Sequence, residues 1–202
     1  MARYEPQDKF YRRARAQGLP SRAAFKLEEI LARFKLVRAG ARVVDLGCAP
    51  GGWLAILGHA AGAQGRVVGI DLSACAPIGA NVATIAGDIR DPAVRATVTR
   101  ALGGAADLLT SDLSPKLTGI AERDQALSFE LIMSALDFAC AVLKPGGALV
   151  AKLFMGSSFD HARTCFERRF AQVEVVRTRA SRPGSAELYI VAQNFRPAGA
   201  RE

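Results

Sequence analysis

Residues 45–53 read Asp-Leu-Gly-Cys-Ala-Pro-Gly-Gly-Trp and are the part of the chain best suited to binding a small ligand. A short apolar run at 42–46 leads into them, and a helical pattern at 53–61 follows. A glycine-rich turn between a strand and a helix lets backbone amides and the helix N-terminus approach a ligand, because no side chain stands in the way. We therefore expect the turn at 47–52, which begins at Gly47, to form a cofactor pocket.

Charged residues occur where several apolar runs end. Asp71, Asp88 and Asp112 close the second, third and fourth runs, Lys152 lies within the fifth, and Glu187 opens the last. Ligands of open α/β sheets bind beyond the carboxyl ends of the strands, and a reversed last strand returns its first residue to that edge. Each of these charges could also be a solvated strand end or part of a simple ion pair. A lysine inside an apolar run, however, needs a partner or a function.

The glycine spacing narrows the choice of cofactor. The turn lacks the Gly-x-Gly-x-x-Gly spacing of nicotinamide-binding folds and the lysine of the phosphate loop of nucleotide hydrolases. A turn without a pyrophosphate cradle favours a nucleoside cofactor that carries no phosphate, such as S-adenosylmethionine. We expect Asp71 and Asp88 to hold its ribose and adenine.

Seven apolar, β-rich runs predict the sheet that positions these groups. Helical patterns separate most of them, which predicts a mostly parallel sheet with helices on both faces. The last two runs are too close together for a helical crossover, so the seventh strand should run antiparallel to the sixth. The strands are predicted at 42–46, 66–72, 82–87, 107–113, 148–154, 173–178 and 188–195, and the helices at 53–61, near Ala76, and at 92–102, 125–143 and 160–170.

A further helical pattern at 21–34 precedes the sheet. Ser21 is its predicted N-cap. Apolar residues recur at helical spacing and predict the buried stripe, which is Leu27, Ile30, Leu31 and Phe34.

Half of the 202 residues are hydrophobic, enough for one sizeable core. We expect a single domain over 1–202, with a basic extension and helix at 1–38 and an α/β core at 39–196. The longest apolar stretches are strand-length and no signal-type segment opens the chain, so we expect a cytoplasmic protein without a membrane partner. Four cysteines without a Cys-x-x-Cys pair and two histidines predict neither a disulfide framework nor a metal site.

The formal net charge is +8, and arginine supplies 21 of the 27 basic residues. A guanidinium group presents a planar fork to phosphate oxygens, although charge alone is equally compatible with a merely soluble basic surface. The distribution favours RNA, because seven cations among the first 26 residues alternate with Tyr4, Phe10 and Tyr11. These cations are Arg3, Lys9, Arg12, Arg13, Arg15, Arg22 and Lys26, and a later group is Arg163, Arg168, Arg169, Arg177, Arg179 and Arg182.

Eight ordered segments resemble the FtsJ/RrmJ family of RNA ribose 2′-O-methyltransferases over nearly the whole chain. They lie at 11–14 with 21–27, 45–53, 69–72, 87–88, 111–115, 143–147, 152–156, and 180–182 with Ser185 and Glu187. Ser114 and Lys116 depart from the alanine and asparagine that are usual there, and Ala151 stands where valine is common.

The resemblance implies a Rossmann-like class I methyltransferase fold with S-adenosylmethionine as cofactor. It implies a catalytic tetrad of Lys26, Asp112, Lys152 and Glu187, with Lys152 as the base. We expect Asp112 to orient Lys152 and the methyl group, and Lys26 and Glu187 to hold the target ribose. The implied cofactor-binding residues, beside the turn that begins at Gly47, are Gly51, Trp53, Asp71, Asp88 and Asp112.

The family includes ribosomal, transfer and messenger-cap RNA enzymes, and this chain is most similar to the bacterial branch that modifies a uridine of 23S ribosomal RNA in the large subunit. We expect that substrate, RNA contacts from Arg12, Arg13 and Arg22, and a monomer. Alternatives are a transfer RNA 2′-O-methyltransferase, a non-catalytic RNA-binding or ribosome-assembly protein, another adenosylmethionine enzyme and, last, a nicotinamide oxidoreductase.

Overall fold

A seven-stranded sheet forms the centre of the computed structural model, which describes residues 8–76, 78–116, 118–181 and 184–199. The strands lie in the order β3-β2-β1-β4-β5-β7-β6. β7 is antiparallel to both of its neighbours, whereas the other strand pairs are parallel, so the predicted sheet is confirmed. Arg3, Tyr4 and Arg182 lie outside the described residues. The strands are β1 (Arg42–Leu46), β2 (Arg66–Asp71), β3 (Val82–Ala86), β4 (Ala106–Ser111), β5 (Leu143–Phe154), β6 (Phe170–Val176) and β7 (Glu187–Phe195).

Helices cover both faces of the sheet, and each face has its own core. One core contains buried residues of α4, α5 and α6, and the other contains Leu27 and Ile30 of α2 with Trp53 and Leu54 of α3. α5 is long and apolar enough to cross a membrane by length and composition alone, but its inner face packs in the first core. The helices are α1 (Lys9–Ala16), α2 (Ala24–Phe34), α3 (Gly52–Ala61), α4 (Pro92–Leu102), α5 (Ala121–Val142) and α6 (Phe159–Glu167).

The N-terminal region differs from the prediction at two points. The sequence pattern did not predict α1, which Asp8 caps by accepting hydrogen bonds from the backbone N–H groups of Phe10 and Tyr11 at 3.0 Å each. The predicted N-cap, Ser21, is wrong, because α2 begins at Ala24 without a side-chain cap. A Cβ at Gly52 would lie 2.3 Å from the Ser21 hydroxyl oxygen, so Ser21 packs closely against the start of α3.

Two connections in the sheet also differ. The helix predicted near Ala76 is wrong, since residues 72–76 and 78–81 form only bends and a turn. Asp71 shapes the start of that loop by accepting a hydrogen bond from the Ser73 N–H at 2.8 Å. β5 begins at Leu143 rather than at residue 148, because Leu143 already pairs with Ala106 before a register shift in β5.

We expect Phe166→Ala on α6 to lower the free energy of unfolding by about 3–5 kcal/mol, because it opens a cavity in the core. The ring is 0% exposed and lies 6.2 Å from the Phe170 ring, centroid to centroid. Urea unfolding followed by circular dichroism measures the loss. Leu72→Ala, at a side chain 77% exposed, is the control and should change stability by less than about 0.5 kcal/mol. Equal losses in both variants would contradict the core position of α6.

Candidate active site

The turn between β1 and α3 requires glycine for both its backbone and its packing. Gly47 and Gly51 have positive φ angles of 76° and 105°. A Cβ at Gly47 would lie 3.0 Å from the Leu113 side chain, and one at Gly51 would lie 2.2 Å from Ile78. The Ala49 N–H donates to Asp71 Oδ2 at 3.0 Å, which ties the turn to the end of β2.

A cleft of about 300 Å³ opens beside this turn, at the carboxyl ends of the parallel strands. Gly47, Asp71, Asp88 and Asp112 line it, as predicted, together with Arg90. The Arg90 guanidinium donates to both oxygens of Asp88 at 2.6–3.1 Å, and these hydrogen bonds lower the pKa of Asp88 to about 2. The cleft therefore presents acceptors and negative charge, with apolar walls between them.

This lining fits a cationic nucleoside better than a nucleotide. A phosphate group in the cleft would face the carboxylates of Asp71, Asp88 and Asp112. Carboxylates accept hydrogen bonds from ribose hydroxyls and amino groups, and S-adenosylmethionine offers both, carries a sulfonium charge and has no phosphate. The volume also lies at the lower end of the usual range for small-molecule sites.

Asp45 lies in the core beside the cleft and is 1% exposed. Its Oδ1 accepts a hydrogen bond from the Thr110 hydroxyl at 2.7 Å, whereas Oδ2 has no hydrogen-bond partner within the described parts of the chain. Burial raises the pKa of Asp45 to about 8; the Thr110 hydrogen bond opposes the shift, and the negative charges of Asp112 and Asp71 add to it. Asp45 is therefore mostly protonated at neutral pH. The sequence analysis did not single out Asp45 as a protonated acid. The pattern that could have indicated it is an acid inside a buried strand.

Neither Trp53 nor Gly51 lines the cleft. The Trp53 ring is 3% exposed, and its Nε1–H donates to the Ala23 carbonyl at 2.8 Å. Gly51 lies in the turn but faces Cys75 and Ile78. Direct contact of either residue with a cofactor stays a prediction.

Lys152 and Asp112 form the first of two ion pairs beside the cleft. Lys152 Nζ lies 3.2 Å from Asp112 Oδ1 and donates to the Asp112 backbone carbonyl at 2.8 Å. The Lys152 side chain is only 7% exposed, so these oxygens replace much of its hydration. Because β4 ends beside β5, the pair sits where the two strands end.

Lys26 and Glu187 form the second pair. Lys26 Nζ lies 2.7 and 2.8 Å from the two carboxylate oxygens of Glu187, and the Ser181 hydroxyl donates to one of them at 2.9 Å. Burial favours a raised pKa for Glu187, but Lys26, Ser181 and then Lys152 outweigh it, so the pKa of Glu187 lies below its ordinary value. Glu187 is therefore ionised at neutral pH.

Tyr189 connects the two pairs and was not predicted. It lies opposite Lys152 in the β5–β7 register, its hydroxyl donates to Asp112 Oδ1 at 2.9 Å, and Lys26 Nζ lies 5.7 Å from its ring centre. Burial, and then the negative charges of Asp112 and Glu187, raise the pKa of Tyr189 well above its ordinary value, so the hydroxyl keeps its proton. The sequence could have indicated the position of Tyr189, because residues 187 and 189 lie on the same face of a strand.

The structure thus brings Lys26, Asp112, Lys152 and Glu187 together, as predicted. Asp112 belongs both to the acidic cleft and to the paired lysines. A hydroxyl group held here would meet two ammonium groups and two carboxylates next to a cofactor cleft, which suits positioning and proton transfer.

The predicted RNA-contact residues differ in their surroundings. Arg12 and Arg13 are exposed on α1, and Arg13 lies 4.4 Å from the Phe25 ring centre. Arg22 instead forms an ion pair with Asp8 and donates to the Ala180 carbonyl, with only 13% of its side chain exposed. Arg22 therefore ties α1 and the segment after β6 to the rest of the fold.

The family model of FtsJ-like methyltransferases matches residues 19–195. The chain belongs to this family. It is 45% identical over 190 residues to the ribosomal RNA large subunit methyltransferase E of Methanoculleus marisnigri, covering 94% of this chain and 92% of that protein. It is 40% identical over 200 residues to the protein of the same name from Myxococcus xanthus, covering 98% and 94%.

Solved structures agree with this assignment. A chain from Plasmodium falciparum described as a ribosomal RNA methyltransferase superposes with a TM-score of 0.77 at 26% identity, over 87% of this chain and 98% of that one. Fibrillarin of Aeropyrum pernix, crystallised with bound S-adenosylmethionine, shares the fold with a TM-score of 0.56 at 18% identity, over 84% and 73%. This FtsJ-like methyltransferase therefore has the predicted Rossmann-like fold.

We expect the protein without cofactor to lose stability relative to Asp45→Asn as the pH rises from about 5 to about 8. The folded state keeps a proton on Asp45 up to a pKa of about 8, whereas an unfolded aspartate releases it near its ordinary pKa of about 3.9. The folded state thus binds more protons in this window, and its stability falls by up to about 1.4 kcal/mol per pH unit. Asparagine does not titrate. Urea unfolding of both proteins across this range gives the difference, and a constant difference would mean that Asp45 is already ionised in the fold.

Proposed function

We propose that this FtsJ-like methyltransferase methylates a ribose 2′-hydroxyl of large-subunit ribosomal RNA, at a uridine of the 23S molecule. The observation that carries the proposal is that Asp112 lines the acidic cleft and also binds the buried Lys152. Relatives named ribosomal RNA large subunit methyltransferase E, at 40–45% identity, support the choice of RNA.

The cleft residues hold the cofactor next to the lysines. Asp71 and Asp88 accept hydrogen bonds from its hydroxyl and amino groups, and the glycine turn lets it approach the backbone. S-adenosylmethionine would supply a methyl group on a sulfonium sulfur, and this sulfur leaves as a neutral thioether when an oxygen attacks the methyl carbon. The chain must therefore place one ribose oxygen in line and remove its proton.

Lys152 is the proposed base. The ammonium paired with Asp112 first releases a proton to water, and the neutral Nζ then takes the proton of the 2′-hydroxyl as the oxygen bonds to the methyl carbon and the carbon–sulfur bond breaks. Asp112 keeps Nζ at the site through its carboxylate and its carbonyl, and the Tyr189 hydroxyl keeps the Asp112 carboxylate in place. Lys26 and Glu187 hold the ribose through its hydroxyl groups, and their mutual ion pair fixes both side chains.

RNA reaches this site across the N-terminal region. Residues 1–38 form the RNA-contacting part and 39–196 the catalytic core of one domain, with exposed Arg12 and Arg13 on the phosphate backbone. Arg22 contributes mainly by holding α1 against Ala180. A monomer working in the cytoplasm, without a membrane, completes the proposal.

We expect Lys152→Ala to lose at least about 100-fold in methyl transfer while binding the cofactor normally, because only the base is removed. Asp71→Ala should instead weaken cofactor binding. Transfer of labelled methyl groups to large ribosomal subunits that lack their own modification, followed by mapping of alkali-resistant ribose positions, measures activity and target atom together. The exposed Thr99→Ala on α4 is the control and should behave like wild type.

Near wild-type turnover of Lys152→Ala would overturn its role as the base. Label on a nucleobase or a ribosomal protein would overturn the ribose assignment. Label on transfer RNA alone would move the substrate there.

We expect Arg12→Glu/Arg13→Glu to weaken RNA binding and to flatten its salt dependence by about 0.7–0.9 log units for each phosphate that the variant no longer neutralises. Cofactor affinity should not change, because both side chains lie outside the cleft. Filter binding over a series of salt concentrations measures the slope. The charge-conserving Arg12→Lys/Arg13→Lys is the control, and unchanged RNA affinity of the glutamate variant would place the RNA surface elsewhere.

A further inference from the structure

We use crevice for the site formed by the cofactor cleft and the two ion pairs beside it. The opposite edge of the sheet carries a cation on five of six neighbouring strands. β2 and β1 begin with Arg66 and Arg42, which are direct partners in the register. Lys144 is the second residue of β5. Arg196 follows β7 and Arg169 precedes β6, and the Arg196 N–H donates to the Arg169 carbonyl at 2.7 Å. We refer to these five residues as the basic edge.

β4 is the sixth of these strands, and it carries an acid, Asp107, near its start. This acid does not cancel the positive charge of the basic edge. Asp107 accepts a hydrogen bond from the Arg42 backbone N–H at 2.8 Å, pairs with Lys144, and lies 3.6 Å from Arg38. Burial favours a raised pKa for Asp107, but these partners outweigh it and lower the pKa. A single carboxylate thus faces the side chains of Lys144 and Arg38 together with the Arg42 backbone N–H, and the edge stays positive.

Two other members of the basic edge bind groups that carry no net charge. Arg66 donates to the Ala101 carbonyl at 3.0 Å, near the end of α4. Arg196 donates to the carbonyls of Glu167 and Phe170 at 3.1 and 2.9 Å. A cation at a helix C-terminus stabilises the helix, which accounts for the positions of these two arginines. It does not account for Arg169 or for the cations gathered around one acid.

The fold also divides the later arginine group of the sequence. Arg177 and Arg179 follow β6 at its crevice end, whereas Arg168 and Arg169 lie at the opposite end, between α6 and β6. These last two arginines therefore extend the basic edge, away from an RNA segment that lies only in the crevice.

The basic edge has the length of a phosphate track. Five spacings between the six strands amount to about 24 Å, over which one nucleic-acid strand presents about seven phosphates. Guanidinium groups supply four of the five cations and match phosphate oxygens in a forked geometry. At the β2 end, a polar cleft of about 460 Å³ lined by His59, Arg66 and Asn81 continues the surface.

We propose that the basic edge is a second RNA-contact surface, which binds the phosphate backbone of the substrate RNA away from the methylated nucleotide. The inference rests on the proposed function for the identity of the RNA. β1 separates Arg42 from the glycine turn by about 17 Å. A large folded RNA can contact both edges, whereas a short hairpin that fills the crevice contacts one.

The test compares two RNA probes with two variants of the full chain. The probes are protein-free 23S ribosomal RNA and a short hairpin that carries the methylated position. Arg66→Gln/Arg169→Gln removes the two ends of the basic edge, and Arg66→Lys/Arg169→Lys keeps the positive charge without the guanidinium fork. Binding is measured over a series of salt concentrations, together with S-adenosylmethionine affinity as a check of the fold.

We expect the glutamine variant to bind the 23S RNA about tenfold more weakly at low salt, with a salt slope lower by about 1.4–1.8 log units for the two phosphates no longer neutralised. Hairpin and cofactor affinities should stay within about twofold, and the lysine variant should resemble wild type. Unchanged binding of the 23S RNA, or equal losses with both probes, would overturn the proposal. Assembled large subunits serve as a third probe, and a loss of binding to them without a loss to the 23S RNA would assign the edge to a ribosomal protein and would also overturn the proposal. Because these readouts are affinities, they remain interpretable even if no RNA is methylated.

Discussion

Both halves of the site depend on the contacts of the Asp112 carboxylate. Its Oδ1 accepts a hydrogen bond from the Tyr189 hydroxyl and forms an ion pair with the Lys152 ammonium, and the residue also lines the cofactor cleft. Two structural features produce these contacts. β4 ends beside β5, and β7 runs in reverse so that Tyr189 lies opposite Lys152. A parallel β7 would carry Glu187 to the far edge of the sheet and leave Lys26 and Lys152 without their shared surroundings.

Three regions around the Asp112 carboxylate differ in charge. The cleft is acidic and fits a cationic cofactor, the crevice balances two lysines against two carboxylates, and the outer surfaces are basic. Burying an ion pair costs desolvation that hydrogen bonds only partly recover, so two such pairs in one crevice are a poor way to gain stability. Asp45 avoids the same cost by keeping its proton, because it is buried and, to a smaller extent, because its surroundings are already negative.

Several features of this arrangement could be predicted from the chain alone. The alternation of apolar runs with helical patterns predicted the sheet, and the short segment before β7 predicted its reversal, because both depend on local periodicity and chain length. Lys26 joined the predicted site only through the family resemblance. The predictions failed where contacts with residues distant in the sequence determine the local structure. The segment around Ala76 remains a loop, and Ser21 packs against Gly52 instead of capping α2.

The glycine turn, the parallel sheet with its reversed last strand, and the charged strand ends at the crevice edge all follow from residue spacing along the chain. A strand delivers its last residue to the edge whatever packs against it. Three other features became visible only in the folded chain: Tyr189 bonds to Asp112, Arg22 is used within the fold, and the later arginines separate onto two edges. Such contacts join residues far apart in the chain, and they depend on strand register and burial, which residue types do not report.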